Sequence, residues 1–149
     1  PPRRFRAALR PIDDPDVEAW AEQVSSTGHA PIDHLVDADR SLTFLRQGLQ
    51  QVLHHDRPAL PAATLDPSAR EWPQVRSDLD GELELLSATV DGFATLVERV
   101  PAGDWGRPAT VAGSGAEVTA LDVLREAVRT GVTDLRLAEQ AFEENRRRS

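Results

Sequence analysis

Three stretches of this chain repeat apolar residues every three or four positions, and that period leaves few folds open. The last is Leu121 to Phe142, where Leu121, Leu124, Val128, Gly131, Leu135, Ala138 and Phe142 fall on one stripe of an α-helix. Leu35, Ala38, Leu42, Leu45, Leu49 and Val52 form a second stripe, and Leu79, Leu83, Leu86, Val90, Phe93, Val97 and Val100 a third. A shorter segment from Asp14-Pro15 to about Ser25 carries Val17, Trp20, Ala21 and Val24 on one face. None of these stripes can be buried alone. The economical solution is all-α, a single up-down four-helix bundle over residues 14–149, preceded by a basic arm over residues 1–13.

Local signals set the expected boundaries. Asp14 before Pro15 reads as an N-cap with proline at the first helical position. The second helix spans Pro31 to His55, with Asp33, Asp37 and Asp39 towards its start and His54 and His55 at its end, both favourable to the helix dipole. Ser77 with Asp80, and Thr119 with Asp122, read as capping boxes for the third and fourth helices. Pro101, Gly103 and Gly106 end the third. Between them, Ala109 to Val118 can turn a small hairpin at Ala112-Gly113-Ser114-Gly115. Residues 56–76 carry Pro58, Pro61, Pro67 and Pro73 and predict a long connection without sustained helix, pinned by Trp72. Gly131, in the middle of its stripe, implies close helix approach or room kept in the core.

Composition narrows the partners. A net charge of -8 argues against binding nucleic acid or an anionic membrane. All 17 basic residues are Arg, read as genomic bias. With no Cys there is no disulfide, thiolate ligand or cysteine nucleophile. No apolar run approaches the roughly 20 residues that span a bilayer, and no signal peptide is visible, so a cytoplasmic location is expected. The arm, with Arg3, Arg4, Arg6 and Arg10, reads as a solvated terminus, with docking on the acidic body or a partner as the alternative.

Several short signals carry little chemistry. His54 and His55 point about 100° apart on a helix and cannot close on one ion, and His29 lies in a loop. Gly113-Ser114-Gly115 lacks the Lys-Ser/Thr of a phosphate loop, and Ser114 lacks a nucleophile elbow. Arg125 and Arg129 lie one turn apart and suit either an anion or surface pairing with Glu126, Glu98 or Asp122. Trp20 and Trp105 read as packing aromatics. A ferritin-like di-iron centre needs Glu-x-x-His pairs that the chain does not contain.

The order of His34-Leu35-Val36-Asp37-Ala38-Asp39-Arg40, then Val100-Pro101-Ala102-Gly103-Asp104-Trp105-Gly106-Arg107-Pro108, then Leu124-Arg125-Glu126-Ala127-Val128 leading into Thr130-Gly131-Val132 resembles the DinB/YfiT-like superfamily over residues 15–140. That group includes mycothiol-dependent maleylpyruvate isomerases and thiol S-transferases. The resemblance implies a DinB-like bundle and a divalent metal held by one His from the second helix and two His or Glu residues, one turn apart, from the fourth. His34 matches the first ligand. The fourth helix offers Thr130 and Asp134, or Arg129 and Thr133 in the neighbouring register. Thr is a poor ligand for a transition metal and Arg cannot become one.

A divalent metal is therefore expected to be absent, with His34 and Asp134 as residual candidates. The reading is a metal-degenerate bundle that binds a small organic molecule, with metal-independent chemistry at His34, Asp37 and Asp134 and binding contacts from Arg129, Thr130 and Thr133. A metal- and thiol-dependent S-transferase or isomerase using a mycothiol-type thiol is the alternative. A non-catalytic homodimer formed through exposed apolar helix faces is the second alternative.

Overall fold

The computed structural model describes residues 16–70 and 76–149. Four α-helices lie among them: α1 (Val17–Glu22), α2 (Pro31–His54), α3 (Leu79–Glu98) and α4 (Ala120–Arg148). Asp14-Pro15 and Trp72 lie outside the described residues. α2 is the hub of the bundle. It packs along α4 and along α3, and it buries Ile32, Leu35, Leu42, Leu45, Leu49 and Val52.

α4 runs antiparallel to α2, so Gly48 lies near Val123 and Asp37 near Asp134. α3 runs the same way as α2: Asp33 pairs with Arg76 just before α3, and Asp39 accepts a hydrogen bond from Thr89 further along. The alternating up-down order is thus refined at one step. The long connection between α2 and α3 carries the chain back to the end of the bundle from which α2 started.

That connection has more structure than its prolines imply. β1 (Ala59–Leu60) adds to a hairpin formed by β2 (Pro108–Val111) and β3 (Glu117–Thr119). β1 pairs parallel to β2, with Ala59 opposite Thr110 and Leu60 opposite Val111. Two 3-10 turns follow, Ala62–Thr64 and Pro67–Ala69. Gly48 makes room for the first, because a Cβ there would stand 3.0 Å from Thr64 Cγ2. The hairpin expected over Ala109 to Val118 is present, with Gly113 and Gly115 at positive φ in its turn.

Helix ends follow capping chemistry, with some shifts. Thr119 and Asp122 form the anticipated box at the start of α4. α3 is capped by Asp78, whose carboxylate accepts from Gly81 N at 2.8 Å, and not by Ser77. Ser77 N donates instead to the buried Glu82 at 2.6 Å. α1 ends at Glu22, short of Ser25, and leaves Val24 exposed. The physical reason for that early end is Asn145 of α4, which is wholly buried. Its amide donates to Trp20 O at 2.8 Å and to Gln23 O at 2.7 Å, satisfying carbonyls that the helix leaves open. Trp20 meets Phe142 edge-on beside it.

Replacing Asn145 with Ala strands the buried Trp20 carbonyl and removes the partner of the part-buried Gln23 carbonyl. A buried group left without its partner costs about 1–3 kcal/mol. Asn145→Ala is therefore expected to lower unfolding stability in urea by about 2 kcal/mol or more. Arg146→Ala, which removes only an exposed pair with Glu143, is expected to change it by about 0.5 kcal/mol or less.

Candidate functional site

The polar side chains singled out on α2 and α4 converge. Asp37 and Ser41 lie one turn apart on α2, while Thr130, Thr133 and Asp134 share one face of α4. Arg129 and two residues of the long connection, Pro67 and Arg70, complete the walls of a cleft of about 80 Å³. A liquid-water molecule occupies about 30 Å³, so the cleft admits one small polar group and not a whole drug-sized molecule.

Asp134 is 6% exposed. Burial comes first among the causes that push its pKa from 3.8 to about 8, followed by the charge of Asp37 and a side-chain hydrogen bond with Asp37. Arg70 opposes the shift and is outweighed. At neutral pH Asp134 therefore keeps its proton and donates it to Asp37. The second oxygen of Asp134, Oδ2, has no hydrogen-bond partner among the described residues.

Glu126, two turns before Asp134, has the opposite surroundings. Arg129 grips it through Nε at 3.0 Å and Nη2 at 2.5 Å. Arg70 Nη2 reaches it at 3.4 Å, and Thr130 Oγ1 donates to it at 3.3 Å. Arg70, only 10% exposed, also donates to Ala63 O at 2.7 Å and Thr64 O at 2.6 Å. This guanidinium ties the connection onto α4 and forms one wall of the cleft. Of the two readings for Arg129, pairing with Glu126 is the one the structure shows.

His34 is buried on α2, one turn before Asp37, but it is not among the residues that wall the cleft. Its ring meets that of His29 edge-on, with centroids 6.0 Å apart. Burial, and then His29, hold its pKa below the ordinary value against the nearby charges of Asp37 and Asp33. The ring is therefore neutral at neutral pH.

Sequence reasoning misses Ser41 and Arg70. Ser41 is accessible to it in principle, as the residue one turn after Asp37. Arg70 has no local signal, because only the path of the connection brings it to α4.

The donor set does not suit a divalent transition metal. Such a site takes three or four protein ligands of imidazole, carboxylate or thiolate type. Here two carboxyl side chains hydrogen-bonded to each other stand beside hydroxyls and two guanidinium groups. Among the described residues no three His, Cys, Asp or Glu side chains group closely enough to hold an ion.

The raised pKa of Asp134 sets a pH dependence. A folded-state pKa above the unfolded value means that the folded chain binds the extra proton between the two values, so stability falls as pH rises through that window. Stability is expected to decline from about pH 4 to about pH 8 and to level off above. Asp134→Asn is expected to flatten that slope, measured as denaturation midpoints at several pH values. Parallel profiles for the two chains would contradict a proton kept on Asp134.

No protein-family model matches the sequence, and no curated protein does. Among solved structures, YfiT from Bacillus subtilis is similar, with a TM-score of 0.62 and 14% identity, over 99% of this chain and 86% of its own. That protein is described as a probable metal-dependent hydrolase with an unusual four-helix bundle topology. The likeness shows the fold: the chain is a four-helix bundle whose topology is similar to that of YfiT.

Proposed function

We propose that this chain binds a small organic molecule through one polar group inserted between α2 and α4, without a resident metal ion. The observation that carries the reading is the Asp37–Asp134 pair, two carboxyl side chains from facing helices hydrogen-bonded to each other in a walled cleft. Such a pair both donates and accepts. It complements a group that does the same, such as a carboxamide or a carboxylic acid, with Ser41, Thr130 and Thr133 offering further hydroxyls. Arg129, half exposed at the cleft, is placed to meet an anionic part of the ligand outside it.

The same pair supports a proton shift. Asp134 gives its proton to one substrate atom while Asp37 takes a proton from another, so the pair ends with as many protons as it began. His34 stands behind Asp37 as a neutral neighbour and does not touch the ligand.

A second reading, a divalent-metal and thiol-dependent transferase or isomerase, draws on the likeness to YfiT and on His34. It requires an ion that the donor set does not favour.

Acetamide, urea and acetate are small enough to probe the cleft. Titrated against the full chain with EDTA present, acetamide is expected to raise the melting temperature, and Asp37→Asn or Asp134→Asn to abolish the rise. No response to any of the three probes would sink the proposal. One equivalent of zinc or nickel retained by untagged protein, and lost in both His34→Ala and Asp134→Asn, would favour the second reading instead.

A further inference from the structure

The face shared by α3 and α4 is open. α2 packs on both helices, whereas the backbones of α3 and α4 scarcely approach each other. α1 packs against both at one end, where Trp20 meets Phe142. Towards the other end lies an apolar groove of about 520 Å³. Val90, Phe93 and Val97 of α3 form one wall, and Leu124, Val128 and Val132 of α4 form the other. Val128 is 58% exposed and Val132 is 44% exposed. A Cβ added at Gly131, between them, would meet nothing within 4 Å. Every residue of this face is among the described ones, and the basic arm of residues 1–13 is not.

The two rims of the groove carry opposite charge. On α3, Asp91 and Glu98 lie two turns apart on one edge, with Ala94 between them, and the helix has no basic residue. On α4, Arg125 stands three residues before Val128 and Arg136 four residues after Val132, so both continue the exposed edge of the two valines. All four charged residues are exposed. Among the described residues Arg125 reaches only Asp122, at 4.0 Å, and no ion pair holds Asp91, Glu98 or Arg136.

We propose that two copies of the chain pair through this face, about a two-fold axis that runs along the helices. Charge selects that axis. α3 is parallel to α2 and α4 is antiparallel to it, so α3 and α4 run in opposite directions. Glu98 therefore lies at the Leu124 end of the groove, level with Arg125, and Asp91 lies towards Val132 and Arg136. A two-fold along the helices keeps each level and exchanges the sides. It sets the acidic edge of each copy on the basic edge of the other, Glu98 over Arg125 and Asp91 towards Arg136. A two-fold across the helices would set α3 on α3 and acid on acid, which is costly. The first arrangement also covers Val128 and Val132 with the α3 helix of the second copy, and it makes each contact twice, as an isologous interface does. The cleft at Asp134 lies between α4 and α2 instead, so pairing leaves it open.

The full chain has a mass of 16.3 kDa, and sedimentation equilibrium is expected to give twice that mass at micromolar concentration. Val128→Asp is expected to give the monomer with its helical circular dichroism unchanged, because the side chain is exposed within one copy. Glu98→Arg alone and Arg125→Glu alone are each expected to weaken the dimer about tenfold, since each reversal acts at two symmetric places. Glu98→Arg combined with Arg125→Glu is expected to restore it. A chain that stays monomeric up to about 100 μM would overturn the proposal and leave the groove to another occupant. A dimer that survives Val128→Asp would place the contact elsewhere, and single reversals that the double variant does not rescue would exclude this axis; either result overturns the proposal as well.

Discussion

The constraint on which this structure rests is the double burial of α2. A helix packed on one side needs an apolar stripe; one packed against two helices needs a wider face. α2 meets that need with Ile32, Leu35, Leu42, Leu45, Leu49 and Val52. Its remaining polar side chains are pushed to the edges of the two contacts. Asp39 settles at the α3 edge, where Thr89 donates to it, and Asp37 and Ser41 at the α4 edge. The antiparallel register then decides what they face. From Gly48 near Val123, eleven residues back on α2 and eleven forward on α4 bring Asp37 to Asp134. The cleft is a consequence of that register.

Periodicity and capping made most of the helical frame legible. The stripes of α2 and α3, the α4 stripe from Gly131 onward and the Thr119–Asp122 box lie where the sequence places them, each a local matter of spacing and hydrogen-bond geometry; before Gly131, α4 buries Val123 and Ala127 and leaves Val128 exposed. The misplacements have tertiary causes. α1 stops early because Asn145, more than 120 residues away, supplies its C-terminal donors. Asp78 takes the cap of α3 because Glu82 engages Ser77 N. β1 has only two residues and gains its identity from β2. The parallel run of α2 and α3 leaves no local trace, since both directions satisfy the same stripe.

The site divides in the same way. Asp37, Thr130, Thr133, Asp134 and Arg129 are recognisable from their positions on two stripes, and the structure gathers all five at one cleft. His34 has the right helix but stands off the wall, with its ring turned towards His29. Arg70 enters through a connection whose course depends on β1, on the buried Leu60 and on the gap left at Gly48. No spacing rule along the chain links residue 70 to residue 126.

Arg70 also bears on how the buried Asp134 is tolerated beside the half-buried Asp37. An ionised carboxylate buried this close to another would be costly, and Asp134 avoids that by keeping its proton. The guanidinium draws the other way: its charge favours the ionised form of Asp134, while its hydrogen bonds are spent on Ala63 O, Thr64 O and Glu126. Glu126 in turn is shared with Arg129, so Arg70 is not free to turn fully towards Asp134. The balance at Asp134 therefore depends on where the connection holds Arg70. A displacement of the 62–70 segment away from α4 removes that opposing charge and drives the Asp134 pKa further up; a closer approach lowers it. The segment that carries the wall of the cleft thus also sets how firmly the proton inside it is held.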